Sequence, residues 1–382
     1  MTVLDASIED LTVDPHPHLA TARAAGPVVR VPALDAWLVT DRATAVTVMR
    51  DAERFTVDDP RFSTSQVIGA SMLSTDGDEH RRHRAPFTEW FSSGTDLDSL
   101  TNWMRADADG LIAAIAADDR AELRSTLAAP LAADTLAHLL GLDPPGAAIL
   151  LDWYRQIVDA VQAITAGDGA GAASAQAYAA LRQAVLDAAD AGRASALLDA
   201  RAVLDDDDLA ANAAVILFGG IETSEGATAN AVWHLLTHPT IHADLVADRS
   251  LIPAFVEESL RLEPAAANVD RYATTDTVLG PAAIRAGDYV IVSLAGANRD
   301  PSVFPAPDTI RLDRTNPRQH TTFALGPHAC LGIHIARAQT IVAIEALLDG
   351  LPPLELDAAA SQAPHGLVFR KPPAVVATWG NR

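Results

Sequence analysis

Apolar and polar residues alternate along most of the chain with the spacing of an α-helix. Apolar side chains recur three and four positions apart over long windows, which is typical of amphipathic helices. These windows cover Arg42–Asp51, Asp96–Asp118, Ser125–Leu140, Ala147–Ala163, Ala175–Gly192, Asp207–Thr237 and Ser250–Leu262, and another runs from about Leu331 to Leu347. The pattern predicts a mainly α fold.

Two regions have the period-two alternation of β-strands instead. Val28–Val31 and Ala36–Thr40 predict a β-hairpin near the start of the chain. A second strand pair is predicted at Thr277–Ile284 and Tyr289–Ser293, joined through Gly287. We expect one domain over residues 1–382, with strands near 28–40 and 277–293 and a helical remainder.

The composition narrows the classes of function that the chain can have. Hydrophobic residues make up 49% of the 382 residues, which is ample for a large core. The formal charge of −22 argues against nucleic acid and anionic membrane surfaces as partners. The sequence contains no signal-peptide pattern and no apolar run that could span a bilayer. We therefore expect a cytoplasmic protein with no membrane partner. We also expect a monomer.

The chain has one cysteine, Cys330, which excludes an intrachain disulfide and a multi-cysteine metal cluster. It lies between Gly326 and Gly332, two residues after His328 and just before the last predicted helix. A thiolate there would face the unpaired N–H groups and the positive dipole of a helix N-terminus. A lone cysteine is more often a small buried hydrophobe, but these neighbours favour a functional thiol.

The longest predicted helix has two adjacent glycines in its middle, Gly219 and Gly220, followed by Glu222 and Thr223. Two interior glycines cost about 2 kcal/mol of helix stability relative to alanine. They also leave a groove without side chains beside an acid and an alcohol, which favours a functional site. The alternative is a contact between helices at small residues, with Glu222 in solvent.

Charged residues at helical spacing form two further pairs. Glu258 and Arg261 are three positions apart, and His80 and Arg84 are four apart, so each pair shares one helix face. For the first pair, the alternative is a weak exposed ion pair. For the second pair, the alternative is two unrelated surface residues.

The segment Phe323–Gly332 resembles the haem-binding loop of the cytochrome P450 family, in which the cysteine thiolate is the proximal iron ligand. Ala324 stands where the family usually has glycine, and the substitution is expected to tighten the loop. The segment Gly219–Thr223 resembles the family's oxygen-activating segment, with Gly219 in place of an alanine. The resemblance extends from about Asp41 to Lys371.

The resemblance implies the fold of this family, with haem b (iron protoporphyrin IX) between the long central helix and the cysteine loop. Cys330 would bind the iron, and Phe323, Gly326 and Gly332 would shape the loop. The residues implied to hold the haem propionates are His80, Arg84, Arg271 and His328. The oxygen-activating residues would be Gly219, Gly220, Glu222 and Thr223, and a structural ion-pair network would join Glu258, Arg261 and Arg314.

The implied activity is that of a haem-thiolate monooxygenase that uses O2 and receives electrons from ferredoxin and an NAD(P)H-dependent ferredoxin reductase. Arg81, Arg82, His83 and Arg337 are expected to form a positive cluster where the acidic ferredoxin docks; the alternative is a solvated helix face. Three other activities stay open: a peroxide-driven peroxygenase, an oxidative-coupling or desaturating enzyme, and a haem sensor without catalysis. Glu222 and Thr223 argue against the peroxygenase, because peroxide already supplies both oxygens and protons.

The expected substrate is a small to medium hydrophobic molecule, for example an intermediate of secondary metabolism, because the predicted pocket residues are mostly small and apolar. These residues are Val67, Ile68, Met72, Val215, Phe218, Ala266, Asn268, Val269 and Val368. Asn268 is the main polar candidate among them. The Gly/Ala-rich stretch Ala166–Ser174 is interpreted either as an ordinary surface loop or as a lid over the substrate entrance.

Overall fold

The computed structural model describes residues 2–91, 96–142, 146–165 and 171–380 of the chain. Its helices are α1 (Ile8–Val13), α2 (His16–Ala25), α3 (Arg42–Arg50), α4 (Ser63–Ile68), α5 (Gly77–Phe91), α6 (Leu97–Ile115), α7 (Ala129–Leu139), α8 (Ala147–Thr165), α9 (Ala172–Asp190), α10 (Ser195–Arg201), α11 (Asp206–Thr237), α12 (Pro239–Ala247), α13 (Ile252–Leu262), α14 (Leu294–Ala297) and α15 (Ile333–Gly350). Its strands are β1 (Val28–Val31), β2 (Ala36–Val39), β3 (Phe55–Thr56), β4 (Arg120–Glu122), β5 (Asn268–Ala273), β6 (Thr277–Leu279), β7 (Ala282–Ile284), β8 (Tyr289–Ser293), β9 (Glu355–Leu356) and β10 (Val376–Thr378). The predicted fold class, mainly helical with small sheets, is confirmed.

Contacts between Cα atoms divide the chain into two compact units. The sheet unit consists of Met1–Thr56, Thr101–Ala128 and Thr223–Arg382. The helical unit consists of Val57–Leu100 and Ala129–Glu222. The first part of α11 therefore belongs to the helical unit and its last part to the sheet unit. The single domain over residues 1–382 stays a prediction.

The main sheet of the sheet unit has the strand order β1-β2-β8-β5-β3. Strands β2 and β8 run parallel, and the other neighbours are antiparallel. Val290 and Val292 pack into one apolar core, and Ile291 between them packs into the other. Because successive side chains point to opposite faces, a strand buried on both faces has a continuous apolar run.

The strand pair predicted at Thr277–Ile284 and Tyr289–Ser293 is wrong. Strands β6 and β7 lie within the first segment and pair with each other, with Gly280 in the left-handed region (φ +57°) at their turn. The second segment is β8, which pairs with β5 and β2 instead. The Gly280-Pro281 turn reverses the chain earlier than the turn at Gly287, so β8 becomes a central strand.

The long helix α11 has 32 residues, close to the predicted Asp207–Thr237. It begins after Asp205, whose carboxylate accepts hydrogen bonds from the N–H groups of Asp207 (3.1 Å) and Asp208 (2.9 Å). Such a contact satisfies donors that have no partner inside the helix. Three acidic residues in the first turn also complement the positive end of the helix dipole.

The helices that the sequence pattern missed are short or polar. α1, α4, α10 and α14 have four to seven residues, which is too few for a helical period to stand out. The helix predicted from Ser125 is divided into a π-helical turn (Arg124–Ala128) and α7. Across the described ranges, no helix is both long and apolar enough to cross a bilayer.

Glu263 follows α13 and connects the two ends of the sheet unit. Its buried carboxylate accepts a hydrogen bond from Arg370 Nε (2.6 Å) and contacts His16 Nε2 (2.9 Å). Burial alone would raise the pKa of this carboxyl, but the contact with His16 and the charges of Arg370 and Arg299 lower it to about 2. The ionised form is therefore part of the folded state.

We predict that acid weakens the fold through Glu263. Its pKa in the folded state, about 2, lies below the ordinary 4.5, so its contribution is present above pH 4.5 and is lost as the pH falls towards 2. The shift corresponds to a free energy of unfolding on the order of 3 kcal/mol. Urea denaturation of Glu263→Gln over a pH series should show lower stability at pH 7 and a flatter decline in acid.

The matched control is Glu355→Gln, which removes an exposed carboxylate from the same unit. It should leave both the stability at neutral pH and the acid dependence close to those of the unchanged protein. An equally steep acid decline in Glu263→Gln would contradict the assignment to this residue.

Candidate active site

Cys330 lies in a loop that is closed by its own backbone hydrogen bonds. The N–H of Cys330 donates to the carbonyl of Phe323 (2.8 Å), and the N–H of Ala329 donates to that of Gly326 (3.1 Å). The cysteine is exposed, and α15 begins three residues later at Ile333. The reading as a small buried hydrophobe is therefore wrong, and the thiol is presented outward at a helix N-terminus.

The two glycines beside Cys330 have different reasons to be glycine. Gly326 has φ +78°, and a Cβ there would fall 2.9 Å from the Cα of Arg50 and closer still to the carbonyl oxygen of Met49, both in α3. A Cβ at Gly332 would meet no heavy atom within 4 Å. Gly326 is thus required by the packing of the loop on α3, whereas Gly332 borders open space.

Ala324 takes up the left-handed conformation that glycine favours, with φ +51°. For a residue with a Cβ this costs roughly 1–2 kcal/mol. The N–H of Ala324 donates to the carbonyl of Thr321 (2.8 Å), and its methyl group packs against one of the apolar cores of the sheet unit. The loop therefore keeps its turn in spite of the missing glycine.

Phe323 packs against a charge cluster formed by Arg337, Glu257 and His320. The guanidinium of Arg337 lies 4.7 Å from the centre of its ring, a cation–π contact, and Arg337 Nε donates to Glu257 (2.5 Å). His320 Nε2 contacts the other carboxylate oxygen of Glu257 at 2.9 Å. Burial would raise the pKa of Glu257, but His320 and Arg337 lower it to about 2. The charge of Arg337 is thus compensated inside the protein.

The positive cluster expected at Arg81, Arg82, His83 and Arg337 is wrong in its charge. Arg81 pairs with Asp78, and Arg82 pairs with Glu79 (2.5 Å) and Asp208 (2.6 Å). His83 is fully buried and contacts Asn212. The acidic first turn of α5 lies three residues before the arginines, so it neutralises the face that they would make positive.

The four residues expected at the haem propionates belong to two units. In the sheet unit, Arg271 is buried on β5 and donates to the carbonyl of Asp270 (2.7 Å), and His328 is half-buried in the turn before Cys330. In the helical unit, His80 is buried and Arg84 is half-buried, one turn apart on α5. Each pair supplies donors suited to carboxylates.

The glycines of α11 also differ from each other. A Cβ at Gly220 would fall 2.5 Å from Leu136 Cδ1, so this glycine lets α7 approach the helix. Gly219 is exposed, and a Cβ there would meet no heavy atom within 4 Å. An open notch therefore lies beside Gly219, one helical turn before Thr223.

Glu222 is buried rather than placed in solvent, so the solvated alternative is wrong. Only 9% of the residue is exposed, and its Oε2 accepts a hydrogen bond from the hydroxyl of Tyr154 on α8. Sequence reasoning missed Tyr154, because an aromatic residue at helical spacing is usually a core residue. A buried carboxylate requires a polar partner, and α8 provides one.

Comparisons with known proteins identify the family. The family model named Cytochrome P450 matches residues 173–351. The chain is 33% identical to cytochrome P450 monooxygenase PikC of Streptomyces venezuelae, over 93% of this chain and 88% of that protein. It is 32% identical to mycinamicin IV hydroxylase/epoxidase of Micromonospora griseorubida, over 90% of each. The chain belongs to the cytochrome P450 family.

A solved structure has the same fold over the whole length of this cytochrome P450. The alignment with the crystal structure of CalO2 covers 100% of this chain and 99% of the CalO2 chain, with a TM-score of 0.89 and 26% sequence identity. The two relatives named above are a P450 monooxygenase and a hydroxylase/epoxidase, and this chain is likewise a monooxygenase of the oxidoreductase class. The cofactor of the family is haem b.

The described residues of this P450 fit a haem on the exposed side of Cys330. A thiolate is a known axial ligand of haem iron, and this thiol is presented outward from a loop. The open space beside Gly332 allows a flat group to approach the backbone, because no side chain stands there.

A buried ion-pair network fixes the segment that leads to the cysteine loop. Glu258 Oε1 accepts from Arg261 Nε and from Arg314 Nε, both at 2.8 Å, and Glu258 and Arg261 are fully buried. Arg261 also donates to the carbonyls of Pro307 (2.6 Å) and Thr309 (3.0 Å). The alternative of a weak exposed pair is therefore wrong for Glu258 and Arg261.

The predicted pocket residues of the helical unit are apolar and mostly buried: Val67, Ile68, Met72, Val215 and Phe218. The N–H of Met72 donates to Asn212 Oδ1 (2.8 Å), which ties the segment after α4 to α11. Sequence reasoning also missed Asn212. Its signal is a lone amide in an apolar helical run.

In the sheet unit, Ala266 and Val269 are half-buried, and Val368 is 39% exposed. Asn268 donates from its amide to the carbonyl of Leu367 (2.7 Å) and lines a small cavity with Leu19 of α2. The amide thus has a structural partner, and its role in substrate binding stays a prediction. The possible lid at Ala166–Ser174 lies in part outside the described residues.

We predict that alanine at the two loop glycines has different effects. Gly326→Ala should destabilise the loop, because the new side chain meets α3 and the left-handed φ is strained. Gly332→Ala should leave the fold intact but weaken haem binding, because its methyl group enters the open space. Thermal melting and the haem-to-protein ratio after purification separate the two effects. Unchanged haem affinity in Gly332→Ala would contradict the placement of haem beside this residue.

Proposed function

We propose that this P450 inserts one oxygen atom of O2 into a small or medium hydrophobic molecule, by hydroxylation or epoxidation. In a hydroxylation, the substrate RH, O2, NAD(P)H and a proton give ROH, water and NAD(P)+. When bound, haem supplies the iron at which O2 is activated. The observation that carries the proposal is the exposed thiol of Cys330 in a loop that opens beside Gly332.

Cys330 is proposed as the proximal ligand, with Phe323 behind the loop and Gly326 and Gly332 at its edges. The loop hydrogen bonds fix the thiol, and the N-terminus of α15 favours its negative charge. Arg271 and His328 in the sheet unit, and His80 and Arg84 in the helical unit, are proposed to bind the propionates. These residue types donate charge-assisted hydrogen bonds to carboxylates.

Glu222 and Thr223 are proposed to deliver protons beside the notch at Gly219, while Gly220 lets α7 pack against the helix. Cleavage of the O–O bond requires protons, and a carboxylate with an alcohol can pass them on in a site that excludes bulk water. Glu258, Arg261 and Arg314 are proposed to act structurally, because their contacts go to each other and to backbone carbonyls. At Gly219 an added Cβ would meet no heavy atom within 4 Å, so the surface of α11 is open there.

The electron donors are proposed to be a ferredoxin and an NAD(P)H-dependent ferredoxin reductase. The balanced charges of Arg81 and Arg82 do not support a docking role for α5. The cytoplasmic location and the monomeric state stay predictions.

The proposed substrates are hydrophobic secondary metabolites. The name of one relative, mycinamicin IV hydroxylase/epoxidase, supports this class, and the predicted pocket residues here are mostly apolar. A shift of the haem Soret band on ligand binding, screened over terpenoid, aromatic, polyketide and peptide compounds, identifies ligands of the purified enzyme.

We predict that Cys330→Ser abolishes thiolate ligation and largely keeps the fold, because the residue is exposed. The reduced, CO-treated protein should lose the absorption band at about 450 nm that thiolate-bound haem gives. Ala329→Ser is the matched control, since it places the same hydroxymethyl group one position away and should keep the band. A band of unchanged position in haem-loaded Cys330→Ser would overturn the assignment.

We predict that Thr223→Ala separates the O2-driven reaction from a peroxide-driven one. With NADPH, ferredoxin and reductase, product formed per NADPH should fall about tenfold or more, because proton delivery is impaired. With hydrogen peroxide alone the yield should change little. Ser224→Ala, which removes the next hydroxyl along α11, should behave like the unchanged enzyme. Equal losses with both oxidants would point away from proton delivery by Thr223.

A further inference from the structure

Tyr154 presents a hydroxyl group to the acid of the proposed proton path. Its side chain lies on α8 and is 8% exposed, and its hydroxyl donates a hydrogen bond to Glu222 Oε2. Both residues belong to the helical unit. A buried carboxylate and a buried phenol each require a polar partner, and here each serves the other.

The contact stands out against the rest of α8. Among the α8 side chains that the structure describes, the other buried ones are apolar, and they are Leu150, Ile157 and Ala160. The charged residues Asp152, Arg155 and Asp159 are all exposed. The hydroxyl of Tyr154 is thus a polar group that α8 directs from a buried position towards α11, and packing alone would be served by phenylalanine.

The geometry of α11 shows which way the carboxylate is held. Phe218 lies four residues before Glu222 on the same stripe of the helix, and its ring is 6.3 Å from the ring of Tyr154. Gly219 and Thr223 form the neighbouring stripe, about 100° further around the helix. Tyr154 therefore holds Glu222 on the stripe that faces α8, and not on the stripe with the notch.

We infer that Tyr154 is a positioning residue that restrains the Glu222 carboxylate and so limits the rate of proton delivery to the Gly219–Thr223 stripe. The inference rests on the proposed role of Glu222. To carry a proton towards Thr223, the carboxylate must give up the phenol and turn around the helix. The strength of this hydrogen bond then sets how often the acid is available.

The test is Tyr154→Phe, which removes the hydroxyl and keeps the ring beside Phe218. The holoenzyme is driven by NADPH with a surrogate ferredoxin and reductase, without added substrate, in H2O and in D2O. Two reactions share the electrons: O2, NADPH and a proton give hydrogen peroxide and NADP+, while O2, two NADPH and two protons give two waters and two NADP+. The fraction of NADPH recovered as hydrogen peroxide reports on proton supply.

Tyr154→Phe should lower the solvent isotope effect on NADPH oxidation and reduce the hydrogen peroxide fraction by about twofold or more. In the Glu222→Gln background the same substitution should change neither quantity, because the restrained acid is gone. Tyr178→Phe on α9 is the matched control, a half-buried tyrosine of the same unit, and should behave like the unchanged enzyme. An unchanged or higher isotope effect in Tyr154→Phe would overturn the inference.

Glu222→Gln distinguishes this inference from the proposed function. If that substitution alone leaves the isotope effect and the peroxide fraction unchanged, proton delivery by Glu222 fails. If it changes them and Tyr154→Phe does not, only the role of Tyr154 fails.

Infrared difference spectra of the resting holoenzyme give a readout that does not depend on turnover. The difference between the unchanged enzyme and Glu222→Gln identifies the carboxylate band of Glu222. Loss of the phenol hydrogen bond in Tyr154→Phe should shift that band, and Tyr178→Phe should leave it in place. A band that Tyr154→Phe does not move would overturn the inference.

Discussion

The cysteine loop and the irregular segment before it depend on the buried contact between Glu258, Arg261 and Arg314. Desolvating these charges is costly, and their mutual attraction alone seldom repays it. Here both guanidiniums also bind the backbone of an irregular segment: Arg261 donates to the carbonyl of Asn298, and Arg314 to that of Pro305. That segment has no ladder of its own for these carbonyls, so the ion pairs supply the partners that secondary structure would otherwise provide.

Asn298 connects the ion-pair network to the cysteine loop through hydrogen bonds. Its amide oxygen accepts from the N–H of Thr321 (2.6 Å), and Thr321 in turn accepts from the N–H of Ala324 (2.8 Å). The loop is therefore fixed on one side by the ion-pair network and on the other by α3, which leaves no room for a side chain at Gly326. An exposed thiol can keep a defined position because the backbone that carries it is hydrogen-bonded on both sides of it.

What could be predicted from the sequence follows from how local each feature is. Cys330 between glycines, and Glu258 three residues before Arg261, are visible in the sequence itself, whereas the contact with Arg314, 56 residues away, was expected only from the family. The partner of β8 was missed because an apolar run does not say which strands flank it. The local charge around Arg82 was predicted wrongly, because its carboxylate partners include Asp208, which is distant in the sequence. Tyr154 was missed because its hydroxyl matters only once α8 lies against α11.

The two departures from the family pattern act in opposite directions. Ala324 has a methyl group where the family usually has glycine, so the loop bears a strained φ, but fewer conformations are open to it before folding. Gly219 removes a methyl group from α11, which costs about 1 kcal/mol of helix stability and opens the notch beside Thr223. Ala324 thus adds backbone strain to the loop before the thiol, whereas Gly219 leaves α11 open beside the proposed proton path. The hydrogen bond between Tyr154 and Glu222 lies on the neighbouring stripe of α11, away from the notch, so its strength determines how readily the acid turns towards Thr223.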